Sequence, residues 1–67
     1  MITIVLNGDS KAIGNKTNIE QLLQSLNLEN NRLAVEINHQ IIPRSNFSKY
    51  TFNESDQVEI VQAIGGG

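Results

Sequence analysis

The stretch TNIEQLLQSL, residues 17–26, decides the fold class because the hydrophobic period of the chain changes there. Its apolar residues recur at positions i, i+3, i+4 and i+7, which is the stripe of an amphipathic helix. They are Ile19, Leu22, Leu23 and Leu26. Thr17 and Glu20 have the spacing of a capping box, in which each side chain binds a free backbone N–H of the first turn. The segment therefore predicts a helix that begins at a Thr17 cap and ends near Asn27.

Before this helix the hydrophobic period is two, which is the pattern of a β-strand. The apolar face of the predicted first strand consists of Ile2, Ile4 and Leu6, with Val5 on the opposite face. Asn7-Gly8 follows, and Asn-Gly is the strongest short signal for a β-hairpin. A second strand is therefore expected near residues 11–14, paired with the first.

The same period returns after the helix, where residues 33–37 predict a third strand. Asn38-His39-Gln40 turns the chain, and Ile41-Ile42 begins a short fourth strand. Pro43 cannot donate a hydrogen bond to a neighbouring strand, so this strand is expected at an edge of the sheet.

The remaining segments complete a small domain. Residues 45–50 are expected to be irregular or a short helical turn with Phe47 as the core anchor, and residues 53–56 form a polar turn. Residues 58–64 predict the last strand. Val58, Ile60 and Ile64 share its core face, and Val61 and Ala63 share the other. The order of elements predicts an α+β domain in which one helix packs on one face of a small mixed sheet.

Composition excludes several classes of protein. The 67 residues are enough for one domain, and five Lys and Arg against seven Asp and Glu give a net charge of −2, which argues against nucleic-acid binding. The absence of cysteine excludes a disulfide and a thiolate nucleophile. No apolar run approaches the roughly 20 residues that cross a bilayer. We therefore expect a soluble, cytoplasmic protein that is monomeric when free.

The chain ends in Gly65-Gly66-Gly67, directly after the last predicted strand. Glycine has no Cβ, so its backbone can enter narrow spaces. We interpret residues 1–64 as the folded domain and residues 65–67 as a flexible tail that presents the terminal carboxylate as the working group.

Several short segments, in order along almost the whole chain, resemble the ThiS-type sulfur carrier family of thiamine biosynthesis. These segments are Asn7-Gly8, residues 17–23, residues 34–38, Ile42-Pro43-Arg44, residues 56–61 and Gly66-Gly67. The resemblance implies the β-grasp, or ubiquitin-like, fold, in which the final strand lies beside the first in the middle of the sheet. His39 and Ser55 depart from the family, which often has glycine at these two turn positions.

The resemblance also implies a reaction cycle. An adenylating enzyme of the ThiF type uses ATP and Mg²⁺ to adenylate the Gly67 carboxylate, and cysteine-derived sulfur displaces AMP. The resulting thiocarboxylate donates sulfur to thiazole synthase. The chain has no phosphate-binding G-x-x-x-x-G-K-[ST] motif, so the partner must bind ATP and Mg²⁺. We expect no cofactor or metal on the chain itself, and no enzymatic activity of its own.

Partner contacts are expected on the sheet face opposite the helix. Val5, Val61 and Ala63 are out of phase with the core positions, so they are candidates for an exposed apolar patch beside the tail. Burial under a loop is the competing interpretation. Arg44 is a further candidate for the partner surface, although solvation is the simpler explanation. His39 is interpreted as a turn residue, and Glu54 and Asp56 are interpreted as solvated acids of a polar turn.

Three other functions remain open at this point. The chain could supply sulfur to molybdopterin or another pathway. It could be a ubiquitin-like modifier, because a diglycine terminus suits an isopeptide bond to lysine equally well. It could also be a stand-alone binding domain with an incidental tail.

Overall fold

The computed structural model describes residues 1–62, which form a five-stranded sheet and one α-helix. The elements are β1 (Ile2–Leu6), β2 (Asp9–Ile13), α1 (Ile19–Ser25), β3 (Leu33–Ile37), β4 (Gln40–Ile42), a 3-10 turn (Arg44–Asn46) and β5 (Gln57–Gln62). The strand order is β2-β1-β5-β3-β4. β1 and β5 are parallel, and the other pairs are antiparallel. The predicted mixed sheet, with the final strand beside the first, is confirmed.

The two hairpins use the same kind of turn. Asn7 and Gly8 have φ angles of 49° and 89°, and Asn38 and His39 have φ angles of 51° and 71°. Positive φ at both turn residues matches the right-handed twist of the flanking strands, and it explains the Asn-Gly preference. Because the first turn has only two residues, β2 begins at Asp9, two residues before the predicted position. His39 and Ser55 (φ 70°) adopt the left-handed conformation although neither is glycine.

The predicted cap at Thr17 is wrong by one residue. Asn18 is the N-cap: its side chain accepts from the Gln21 N–H at 2.8 Å, and the Gln21 side chain accepts from the Asn18 N–H at 3.0 Å. The Thr17 hydroxyl instead donates to the Gly14 carbonyl oxygen at 2.6 Å. Asn is at least as good a cap as Thr, and Thr17 is already used in the preceding turn.

The predicted end of the helix at Asn27 is confirmed. Asn27 has φ 60°. Its N–H donates to the Gln24 carbonyl oxygen at 3.1 Å, and the Leu28 N–H donates to the Leu23 carbonyl oxygen at 2.8 Å. This pair of bonds is a Schellman motif, which satisfies carbonyl groups that a helix leaves open at its end. Leu28 also packs against the core, so the motif attaches the helix end to the domain.

One hydrophobic core lies between α1 and one face of the sheet. Its buried members come from the helix, four of the strands and the segment between β4 and β5. They are Ile4, Ile13, Ile19, Leu22, Leu23, Val35, Ile37, Phe47, Phe52, Val58 and Ile60. The predicted core faces of α1, β3 and β5 and the predicted Phe47 anchor are therefore confirmed within the described residues. β4 lies at an edge of the sheet, as Pro43 indicates.

Candidate functional site

The sheet face opposite α1, called here the outer face, carries the exposed apolar side chains of the strands. Val61 is 61% exposed and lies opposite Ala34, which is also exposed. Ile41 is 71% exposed and lies opposite Glu36, which in turn lies opposite Glu59 on β5. On the outer face, the apolar pair Val61 and Ala34 therefore lies beside a second cross-strand set, in which Ile41 is followed by the two facing carboxylates.

Val5 is half-buried and lies on the same face at some distance from Val61. It is opposite Gln57, and Val61 follows four residues later on β5. At about 3.3 Å per residue, the two side chains are separated by roughly 13 Å along the strand. The structure thus places two of the predicted surface residues on one face without bringing them together. Ala63, the third, lies outside the described residues.

Arg44 is exposed but bound to its own domain. Its guanidinium group donates to the Asn31 carbonyl oxygen at 3.2 Å. The guanidinium carbon also lies 5.5 Å from the centre of the Phe47 ring, where a cation is attracted to the aromatic face. Through these contacts Arg44 links the 3-10 turn to the segment before β3. Neither of the two sequence-based interpretations, solvation or partner binding, predicted this contact within the domain.

Sequence reasoning did not place Ile41 on the outer face. The pair Ile41-Ile42 shows no alternation, so it does not reveal which side chain faces the core. The register does, because Ile42 lies opposite the buried Val35 and Ile41 lies opposite Glu36. Assigning the register from the two-residue turn at Asn38-His39 would have identified Ile41.

Two hairpin-turn asparagines bind β5, one at its first residue and one at its fourth. The Asn7 side chain accepts from the Ile60 N–H at 2.8 Å and donates to the Ile60 carbonyl oxygen at 3.3 Å. The Asn38 side chain accepts from the Gln57 N–H at 3.0 Å. Both asparagines therefore anchor β5 through side-chain amides as well as through the turn.

Asp56 is buried, with 5% of its surface exposed, so the expectation of a solvated acid is wrong. Its carboxylate accepts from the Tyr50 hydroxyl at 2.8 Å, the Asn53 N–H at 2.9 Å and the Asn38 side-chain amide at 3.0 Å. A buried carboxylate needs such partners. Burial of Tyr50, with its hydrogen bond to Asp56 and the nearby negative charge, raises the pKa of the phenol to about 12.

Through these hydrogen bonds Asp56 stabilises the turn from which β5 begins. The reaction cycle implied by the resemblance gives it no catalytic role. The other predicted turn residues are exposed: Glu54 accepts from the Thr3 N–H at 3.0 Å, and His39 lies in its turn. Within residues 1–62, no group of three or more His, Cys, Asp or Glu side chains could hold a metal ion. No helix in this part of the chain is long and apolar enough to cross a membrane.

The predicted reacting group and tail, Gly65, Gly66 and Gly67, lie outside the described residues. The last described strand, β5, lies between β1 and β3 and is the described strand nearest to these glycines in sequence. Val61, on the outer face, is the penultimate residue of that strand.

Comparisons with known proteins agree with this architecture. A family model described as the ThiS family matches residues 4–67. The chain is 36% identical over 64 residues to a protein named thiazole synthase from Paramagnetospirillum magneticum, a match that covers 96% of this chain and 20% of that protein. It is 39% identical over 49 residues to the sulfur carrier protein ThiS of Bacillus subtilis, covering 73% of this chain and 74% of that protein.

A solved structure is similar over nearly the whole chain. The crystal structure of the thiamine biosynthesis protein ThiS from Geobacter metallireducens has a TM-score of 0.82 and 28% sequence identity, covering 98% of this chain and all of the other. The fold of this chain is therefore the β-grasp fold. The chain spans only a fifth of the thiazole synthase relative, so the activity of that longer protein does not pass to this chain by similarity alone.

Proposed function

This chain belongs to the ThiS family, and from that premise we propose that it is a sulfur carrier protein of thiamine biosynthesis. It acts in the cytoplasm as a protein co-substrate and is not itself an enzyme. A ThiF-type enzyme joins the Gly67 carboxylate to AMP from Mg²⁺-bound ATP and releases pyrophosphate. Sulfur from a cysteine-derived donor then displaces AMP, and the thiocarboxylate delivers its sulfur to thiazole synthase.

The observation that carries this proposal is that the family match extends from residue 4 to residue 67 and so includes the glycine terminus. A carboxylate is a poor electrophile, and an acyl-adenylate provides AMP as a leaving group. Glycine at the reacting position adds no side chain beside the acyl carbon. Three residues of fully extended chain span at most about 10 Å, which gives the carboxylate reach into an enzyme site. The absence of side chains lets the same residues enter a narrow site.

The outer face supports the same proposal as a docking surface for the two enzymes. Binding fixes a glycine-rich segment at an entropic cost, so contacts made by the folded domain must offset it. Val61, Ile41 and Ala34 supply exposed apolar surface on the outer face of the sheet, and exposed apolar patches commonly mark interaction sites. We include Val5 at the margin of this surface, together with Arg44, which is exposed although it also donates to the Asn31 carbonyl oxygen.

Thiazole synthase is supported as a partner by one of the relatives. A protein named thiazole synthase contains a segment similar to this chain within a much longer polypeptide. A carrier-like segment in the same polypeptide as the synthase is expected when the two act on each other. This observation favours the thiamine pathway over the molybdopterin pathway.

Reconstitution tests the proposal. The chain would be mixed with a ThiF-type enzyme, thiazole synthase, the synthase's other substrates, ATP, Mg²⁺ and a sulfur donor, and the thiazole product would be measured. We expect product with the full chain and none with a matched chain that lacks Gly66 and Gly67. Equal product from the truncated chain would contradict the assignment of the reacting group. No product with the full chain, when an established ThiS protein is active in the same mixture, would contradict the function.

A further inference from the structure

Asn7 occupies a special position between β1 and β5. The parallel register of these strands covers only two pairs, Val5 with Gln57 and Leu6 with Val58. The Asn7 N–H adds one more bond, to the Val58 carbonyl oxygen at 2.8 Å. The backbone then turns away at Gly8, although β5 continues to Gln62.

The Asn7 side chain replaces the missing strand at this point. Its amide oxygen accepts from the Ile60 N–H at 2.8 Å, and its amide nitrogen donates to the Ile60 carbonyl oxygen at 3.3 Å. One side-chain amide therefore pairs with both polar groups of one peptide residue, as a neighbouring strand would. Both bonds are partly buried, so water replaces them poorly.

We propose that Asn7 is a positioning residue for the reaction at the C-terminus. By pairing with Ile60, it extends the support on the β1 side of β5 two residues beyond Val58 and toward Gln62, the last described residue. The direction of β5 sets the point from which the chain beyond Gln62 reaches the activating enzyme, and therefore the region of that enzyme within reach of the Gly67 carboxylate. This role rests on the proposed function.

Asn38 provides a matched comparison. It is the first residue of the other two-residue turn, with φ 51° against 49° for Asn7. Its side chain also bonds β5, but three residues earlier along the strand: it accepts from the Gln57 N–H and donates to the Asp56 carboxylate, both at 3.0 Å. The two asparagines thus share residue type and backbone conformation, and each side chain accepts from an N–H of β5. They differ in the second bond, which Asn7 makes to the Ile60 carbonyl oxygen and Asn38 makes to the Asp56 carboxylate, and in their distance along β5 from Gln62.

The experiment compares Asn7→Gly with Asn38→Gly. Glycine accepts positive φ without strain, so each variant keeps its turn and loses only the side chain. Hydrogen exchange would be measured at the Ile60 and Gln57 amides, and kcat and KM for thiocarboxylate formation at Gly67 would be measured by intact mass. Asn7→Asp is a further variant, because it keeps the acceptor for the Ile60 N–H and loses the donor to the Ile60 carbonyl oxygen.

We expect Asn7→Gly to accelerate exchange at Ile60 roughly twofold to tenfold, as loss of an ordinary hydrogen bond does, and to lower kcat. Asn7→Asp should keep exchange at Ile60 slow, because the acceptor for its N–H remains, and should lower kcat, because the second carboxylate oxygen repels the Ile60 carbonyl oxygen. Asn38→Gly should accelerate exchange at Gln57 and leave kcat unchanged. Circular dichroism and urea denaturation would establish that each variant is folded under the assay conditions.

Two results would overturn the positioning role alone. The first is unchanged exchange at Ile60 in Asn7→Gly, and the second is an equal loss of kcat in Asn7→Gly and Asn38→Gly, which is the pattern of a purely structural role. A different failure belongs to the proposed function: if the unchanged chain forms no thiocarboxylate with a competent enzyme, both proposals fall.

Discussion

The two faces of the sheet have opposite relationships with water. On the inner face, Ile4, Val35 and Val58 are at most 1% exposed and pack beneath α1. On the outer face, Ile41 and Val61 are more than half exposed. The exposed side chains of the outer face therefore contribute little buried apolar area to the stability of the fold. We propose that their apolar character serves partner binding.

The acids show the same contrast. Asp56 is buried with three hydrogen-bond donors around its carboxylate. Glu36 and Glu59 face each other across β3 and β5 on the outer face, and like charges directly opposite each other destabilise a sheet. The buried acid thus supports the fold, whereas the outer pair weakens it slightly.

The largest effect expected from this comparison is at Ile4. Ile4→Ala should lower the free energy of unfolding by about 2–5 kcal/mol, because it removes buried methyl and methylene groups and leaves a cavity. For a domain this small, such a loss is a large share of the total stability. Urea denaturation followed by circular dichroism measures it.

Ile41→Ala is the matched control on the outer face. Because Ile41 is 71% exposed, the same chemical change should alter stability by at most about 0.5 kcal/mol. If Ile41 belongs to the docking surface, this variant should raise KM for thiocarboxylate formation. A comparable loss of stability in Ile4→Ala and Ile41→Ala would contradict the claim that the inner face alone contributes substantially to the stability of the fold.

A smaller effect is expected at Asp56. Asp56→Ala should cost about 1–3 kcal/mol, because buried donors lose their acceptor. Glu54→Ala removes an exposed acid from the same turn together with its one exposed hydrogen bond, from the Thr3 N–H, and should cost only about 0.5–1 kcal/mol. Thermal or urea unfolding of both variants checks the difference. Equal stability of the two would mean that the Asp56 network does not support the start of β5.

Tyr50 adds a pH dependence to the same network. Its pKa is raised from the ordinary 10 to about 12, first by burial and then by Asp56. The unfolded chain therefore loses the phenol proton at lower pH than the folded chain, and stability falls as pH rises through this interval. Urea denaturation at several pH values between 10 and 12 gives the free energy of unfolding, and in Tyr50→Phe this part of its decrease should be absent. An identical fall in the variant and the unchanged chain would contradict the assignment.

The smallest effect belongs to the outer acids. Glu59→Gln removes one of the two facing charges and should stabilise the domain by a few tenths of a kcal/mol, with the gain shrinking as salt is added. Glu29→Gln, at an exposed acid outside the sheet, is a control with the same change in net charge and no facing carboxylate. Urea midpoints at low and high ionic strength measure both. Clear destabilisation by Glu59→Gln would show that the pair contributes to the fold.

The sequence alone predicts those features that depend on neighbouring residues. Asn7-Gly8 predicts its hairpin because positive φ is a local requirement, and Val58 and Ile60 predict the core face of β5 by simple alternation. The central pairing of β1 with β5 came instead from family resemblance. Nothing local in either strand specifies a partner more than 50 residues away.

The errors arise where distant contacts decide. Asn18–Gln21 and Thr17–Glu20 have the same spacing, so pattern alone does not choose between them. The Asn18 side chain also donates to the Ser48 carbonyl oxygen at 3.2 Å, a contact that no sequence window around the helix contains. The burial of Asp56 likewise depends on Asn38, 18 residues away. Of the candidate site, the outer-face position of Val61 was predictable, whereas the assignment of Gly67 remains a prediction.

The most direct test of the central claim is to locate the sulfur. The chain would be incubated with a ThiF-type enzyme, ATP, Mg²⁺ and a sulfur donor, and the product would be fragmented in a mass spectrometer. We expect a mass gain equal to replacement of one oxygen by sulfur, carried by the fragment that ends at Gly67. A gain on any other residue, or none with an enzyme that activates an established ThiS protein in parallel, would contradict it.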